Sequence, residues 1–152
     1  MGNIFNSDFQ DFIVALNNNN VEYILIGGYA VMIYGYARNT GDMDIWVNPT
    51  KENYKKVENA FAEFGMPVFD MTEENFISNK NMDVFTFGVS PVSIDIISDV
   101  KGLVFSEAYK NIEIKNIEGL VVKLIHINDL LRTKAATNRP KDIDDIEHLM
   151  GN

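Results

Sequence analysis

An α+β domain, a mixed sheet flanked by helices, is the fold class this sequence predicts, and three observations predict it. Apolar residues recur at helical spacing in an N-terminal and a central segment. Short apolar runs bounded by turn residues read as strands. Two of those runs, MDVFTFG and VSIDIIS, flank Val89-Ser90-Pro91 and read as a hairpin. Helices and strands alternate without a repeat, a low-complexity tail or a linker, so residues 1–152 read as a single domain with a sheet that is not purely parallel.

Taken in order, Asn6 or Ser7 caps a first helix with Phe9, Phe12, Ile13 and Leu16 on one face, and the Asn17 to Asn20 run ends it. Glu22 to Ile26 reads as a short buried strand, and Gly27-Gly28 breaks it before a short helix over YAVMIY. Asp42 to Val47 is the next strand. Pro49-Thr50 opens a helix carrying Tyr54, Val57, Phe61 and Phe64, and Gly65 stands where a left-handed cap is expected. Residues 66–81 look irregular. After the hairpin, Ile112 to Ile114 and Leu120 to Leu124 add one or two strands. The end, NDLLRTKAATNRPKDIDDIEHLM, reads as two helices broken at Pro140 with Leu130, Leu131, Ile143, Ile146 and Leu149 turned to the core.

Composition narrows the function. The absence of cysteine excludes disulfides, zinc-thiolate sites and cysteine nucleophiles, and agrees with a reducing compartment. The N-terminus has neither a basic leader nor a long apolar run, and Asn6 departs from the myristoylation pattern, so a cytoplasmic protein without a membrane span is expected. A net charge of -9 disfavours extended nucleic-acid binding, which depends on basic surface displacing counterions.

The chemistry gathers around LIGGYAVMIYGYARNTGDMDIWV. In a strand Asp42 and Asp44 point to the same side, where like charges repel unless water, basic groups or a divalent metal offset the cost. A lone aspartate, Asp95, sits inside the apolar run VSIDII, where it needs a partner. Two same-face carboxylates can clamp one or two magnesium ions, and a third on a neighbouring strand can complete the clamp and take a proton from a substrate hydroxyl. Gly27 and Gly28, between strand and helix, allow backbone to approach a phosphate. A DxD pair alone also occurs at solvated strand ends, and Gly-Gly alone is weaker still; the combination is far more specific. Arg38, Lys134, Arg139 and Lys141 are candidate phosphate contacts, although the last three could equally pair with Asp142, Asp144, Asp145 or Glu147. His126 and His148 match no metal spacing, and Tyr29, Tyr34, Tyr36 and Trp46 read as core sooner than as a base-stacking platform.

Ile26 through Ile45, with Gly27-Gly28 and Asp42-Met43-Asp44, resembles the signature of the nucleotidyltransferase fold superfamily, the group of DNA polymerase beta. The short length and KAATNRPKDIDDI resemble small bacterial nucleotidyltransferase-like proteins related to abortive-infection toxins and lincosamide-modifying enzymes. The resemblance implies a sheet flanked by helices, with Asp42, Asp44 and Asp95 as catalytic metal ligands for two magnesium ions. Gly27 and Gly28 would face a nucleoside triphosphate whose monophosphate passes to a hydroxyl acceptor. Where such proteins often carry serine, Gly28 offers only backbone. The alternatives are a toxin–antitoxin or abortive-infection type interaction protein, with or without modification of protein or RNA, and an inactive nucleotide-binding module. A homodimer or a small partner protein is a further expectation, the former because two short C-terminal helices leave an acceptor pocket that is shallow or shared with another subunit, the latter under the first alternative.

Overall fold

The structure is a computed structural model that describes residues 5–36, 41–89 and 92–151. It is the α+β fold expected, a six-stranded mixed sheet in the order β3-β4-β2-β1-β6-β5 with helices on both faces. Strand β1 (Tyr23–Ile26) runs antiparallel to β2 (Met43–Val47), and β2 runs parallel to β4 (Val92–Ile97). Hairpins close both edges, β3 (Val84–Val89) on β4 and β5 (Glu113–Ile117) on β6 (Leu120–Leu124), while β6 lies parallel to β1. All four residues of β1 are buried, as a central strand covered on both faces requires.

One face carries Met43, Ile45, Ile94, Ile96, Phe85 and Phe87, all buried. Helix α1 (Ser7–Asn18) and helix α3 (Lys51–Phe64) cover it, with Phe12 edge-on to Phe61 and Phe64, and Phe61 edge-on to Phe87. Asn6 is the cap of α1, its side chain accepting from the Phe9 amide, and Gly65 ends α3 at φ 88, where a residue with Cβ would be strained. The opposite face carries Asp44 and Trp46 from β2 with Asp95 and Ile97 from β4. Helices α5 (Phe105–Lys110), α6 (Ile127–Thr137) and α7 (Pro140–Met150) belong to this side, where Phe105 meets Trp46 edge-on.

Four details depart from the sequence reading. Gly27 and Gly28 do end the strand at Ile26, but they are themselves the first two residues of helix α2 (Gly27–Ile33), which starts earlier than expected. The irregular stretch holds a short helix α4 (Glu73–Ile77), capped by Thr72, and α5 adds a turn of helix no periodicity signalled. Ser90 and Pro91 lie outside the described residues, although Val89 paired with Val92 confirms the hairpin. The largest departure is in α7. Leu130 is buried and Leu131, Ile146 and Leu149 half-buried, but Ile143 is exposed, and the α7 residues turned inward are Asp142 and Asp145. Polar partners across the α6–α7 hairpin, not apolar contact, set that helix's rotation.

Phe12 is fully buried between α1 and α3, so Phe12→Ala should lower unfolding free energy by about 3–5 kcal/mol, read by urea denaturation with an unchanged slope.

Candidate active site

The register of the sheet assembles the site. Ile26 stands opposite Asp44, Asp44 opposite Asp95, and Asp95 opposite Thr86, so one row of side chains crosses β1, β2, β4 and β3. Asp44 and Asp95 therefore sit side by side on adjacent parallel strands, facing α6 and α7. The Thr86 hydroxyl donates to Asp95 Oδ1 at 2.7 Å. One step along the same face, the buried Ser93 hydroxyl donates to Asp42 Oδ1.

Asp44 is the most perturbed acid of the group. Its carboxyl is pushed up to about 7, first by burial, then by the charge of Asp95 and the hydrogen bond the two share, and then by Asp42; Lys141 pulls the other way.

Gly27 is required by this arrangement. Its φ is 72, and a Cβ there would lie 2.1 Å from Asp44 Oδ2, inside the carboxylate itself. The glycine is explained by the acid it borders. Gly28, half-buried, follows it into α2.

A cavity of about 560 Å³ opens over the pair, reached by Gly27, Asp44, Asp95, Lys134, Arg139 and Asp142 among others. Two of its basic residues, Lys134 and Arg139, are already engaged. Lys134 Nζ is buried, 2.9 Å from Asp145 Oδ2 and 3.4 Å from Asp142 Oδ1. Arg139 donates through Nε at 2.7 Å to Asp142 Oδ2 and through Nη2 at 3.1 Å to Oδ1, and the Arg139 amide and the Thr137 hydroxyl also donate to Oδ2. Burial alone would raise the Asp142 carboxyl, but the hydrogen bonds from Arg139 and Thr137 and the charge of Lys134 outweigh it and hold it well below the usual range. The side chain of Arg139 remains half-exposed. Its guanidinium is held up further by its hydrogen bond to Asp142 and by the charges of Asp142, Asp145 and Asp44, against the effect of burial.

Of the candidates named from sequence, Gly27, Asp44, Asp95, Lys134 and Arg139 share this cavity. Asp42 stands beside it, sensed by Asp44 and held by Ser93, and Lys141, exposed in the first turn of α7, acts on Asp44 electrostatically. Arg38 lies outside the described residues. Among the described residues, no three acidic or histidine side chains are already closed around one point. The donor set still fits a hard divalent cation, since it is oxygen-only and burial with the charges of Asp95 and Asp42 opposes ionisation of Asp44, a cost that a cation would relieve. Thr86, Ser93 and Asp142 were not singled out from sequence. Ser93 was within reach of it, two residues before Asp95 on the same strand face. His126 caps α6 by accepting from the Asn128 amide, and His148 stacks on Tyr36 at 3.8 Å and bonds the Asp144 carbonyl.

The sequence profile of a family described as "Nucleotidyltransferase of unknown function (DUF6036)" matches residues 7–150. No curated protein matches the chain. Among solved structures, a nucleotidyltransferase candidate from Thermotoga maritima shares the fold at TM-score 0.61 and 12% identity, over 94% of this chain and 90% of that one. The lincosamide antibiotic adenylyltransferase LnuA, solved with lincomycin bound, superposes at TM-score 0.63 and 16% identity, over 97% of this chain and 98% of that one. No helix among the described residues is long and apolar enough to cross a membrane.

Two substitutions test the site as built. Gly27→Ala should force Asp44 out of its place, costing more than about 1 kcal/mol at a left-handed position and shifting the Asp95 and Thr86 resonances in NMR spectra. Asp142→Asn leaves buried Lys134 short of a counter-charge and should destabilise the fold by about 3–5 kcal/mol at neutral pH. Because the Asp142 carboxyl is depressed in the folded state, its contribution is complete above about pH 4 and is lost as pH falls below that value. The difference in melting temperature between wild type and variant should therefore narrow steadily as pH falls from about 4 toward 2.

Proposed function

Because the chain belongs to this family of nucleotidyltransferases, we propose that it moves a nucleoside monophosphate from a nucleoside triphosphate to a hydroxyl acceptor with the help of two divalent cations. The observation that carries the reading is the in-register pair Asp44 and Asp95, pressed together over Gly27 at the floor of a cavity with basic residues on its wall.

Asp42, Asp44 and Asp95 would hold the cations, which magnesium would supply in the cell. Bound there, they would neutralise the polyphosphate and polarise the α-phosphorus. Every other part of the work falls to the chain. Ser93 and Thr86 orient Asp42 and Asp95 by donating to one oxygen of each. Gly27 and Gly28 keep side chains away from the triphosphate. Arg139, held as a planar fork by Asp142, offers its remaining N–H groups to a phosphate, and Lys141 adds a point charge beside Asp44. Lys134, enclosed by two carboxylates, braces that wall.

Asp95 takes the acceptor's hydroxyl proton. The acceptor oxygen then bonds to the α-phosphorus while the bond from that phosphorus to the bridging oxygen of the β-phosphate breaks, and pyrophosphate leaves with the electron pair. A static acid pair on rigid strands suits this role, because the protein mainly positions charge.

Calorimetry with ATP and with the other three triphosphates, with and without magnesium, tests the donor half. Asp42→Asn and Asp44→Asn should each weaken magnesium-dependent binding by about tenfold or more, since they keep shape and remove charge. Asp95→Asn should leave binding largely intact and lower transfer of labelled monophosphate by about 10²-fold. The acceptor panel includes lincomycin, which the LnuA structure holds, simple alcohols, the protein itself and RNA. Equal ATP affinity with and without magnesium, or equal transfer by wild type and Asp95→Asn, would overturn the reading.

A further inference from the structure

The cavity over the acid pair is asymmetric. Near Asp44 stand Arg139 and, just beyond, Lys141, both interacting electrostatically with it, while Lys134 lines the same cavity paired with Asp142 and Asp145. On the Asp95 side the wall changes character. Ile97, two residues further along β4 on the same face, and Val84, its partner on β3, line the cavity with Val100, and Leu130 of α6 joins the same lining. Two residues of strand advance about 7 Å, so apolar wall begins one short molecule's length from the Asp95 carboxylate. Asp99 and Lys101, both exposed, also line this part, and their charges offset one another.

Resting on the nucleotidyl-transfer reading, we infer that this Asp95-side arm is the acceptor subsite and that it takes a small alcohol or phenol with a compact apolar body. A triphosphate seeks the side with the cations. The acceptor must approach from the other side for its oxygen to reach Asp95 and attack in line with the departing pyrophosphate. There it meets Val84, Ile97 and Val100, which bury hydrocarbon and offer nothing to a polyanion. A polynucleotide acceptor needs a track of cations, and the arm supplies one lysine cancelled by one aspartate in a protein of net charge -9. A volume of about 560 Å³ lies in the range of small-ligand pockets.

The test fills the arm from two directions. Val84, half-exposed on an edge strand, accepts Val84→Trp without cost to the core, and Val100→Phe narrows the same space from the loop after β4. Saturation-transfer NMR on the whole chain, with magnesium and a non-hydrolysable ATP analogue present, uses benzyl alcohol, tyramine, glycerol and an octamer of uridylate as probes. Benzyl alcohol and tyramine should bind wild type, and each filling variant should weaken them by about tenfold, the scale of a misfit in an apolar pocket. Glycerol and the oligonucleotide should give no signal, and calorimetric affinity for ATP with magnesium should stay within about twofold of wild type. Aromatic alcohols that bind wild type and both folded variants equally would overturn the assignment, as would displacement of benzyl alcohol by the octamer. Loss of ATP affinity in both variants would give the arm to the nucleotide instead. Failure of wild type to bind ATP with magnesium at all is a separate result, and it removes the transfer reading on which this one rests.

Discussion

Two carboxyl groups forced into contact are the constraint around which this molecule is arranged. The parallel register of β2 and β4 puts Asp44 against Asp95, and neither can move without breaking strand pairing at the centre of the sheet. Around them each neighbour answers the same electrostatic problem. Gly27 gives up a side chain so that the Asp44 carboxyl has room, and Thr86 and Ser93 lend hydroxyl protons to the acids on either side. Even so, burial and like charge keep Asp44 protonated up to about neutrality. A protein selected only for stability gains nothing from such a row, since apolar residues there would fold at lower cost.

The second electrostatic structure is the α6–α7 hairpin. Lys134 lies inside it with Asp142 and Asp145, and Arg139 closes the set from the rim. Buried ion pairs of this kind contribute little net stability compared with apolar packing, because desolvation consumes most of the Coulomb gain. They do specify geometry. Five contacts on one carboxylate define the rotation of α7, the angle between the two helices and the plane of the Arg139 guanidinium. The wall opposite the acid pair is thereby held at a distance that leaves a cavity and does not collapse on the carboxylates.

This separation of labour explains why the basic residues differ among themselves. Lys134 has both faces of its ammonium covered by carboxylates and works as a brace, whereas Arg139 uses one edge of its fork on Asp142 and keeps the remainder in the cavity. Arginine suits the rim because its fixed planar donors can serve two partners at once, while an ammonium suits the enclosed position as a compact charge. Of the alternatives weighed from sequence, the local ion pair is made by both Lys134 and Arg139, and it encloses the lysine more fully than the arginine.

Much of the fold was legible in the sequence because it rests on local periodicity and caps. The face of α1 with Phe9, Phe12, Ile13 and Leu16, the left-handed Gly65, the β3–β4 hairpin and the break at Pro140 each follow from spacings of four residues or fewer. The shared side of Asp42 and Asp44 follows from strand alternation alone, and an aspartate among isoleucines announces a partner without naming it. What local pattern cannot carry is register between strands far apart in the chain. That Asp95 meets Asp44 was settled only when β4 docked parallel to β2, and that Gly27 is shaped by a carboxylate 17 positions away in sequence only when β1 and β2 paired antiparallel, while the register of the β3–β4 hairpin brings Thr86 into the row. The rotation of α7 was hidden for a related reason, because Ile143, Ile146 and Leu149 suggest an apolar face and only the buried ammonium of Lys134 on another helix turns Asp142 and Asp145 inward. Periodicity belongs to a single element and can be read from it, whereas pairing of charges belongs to two elements and exists only once they meet.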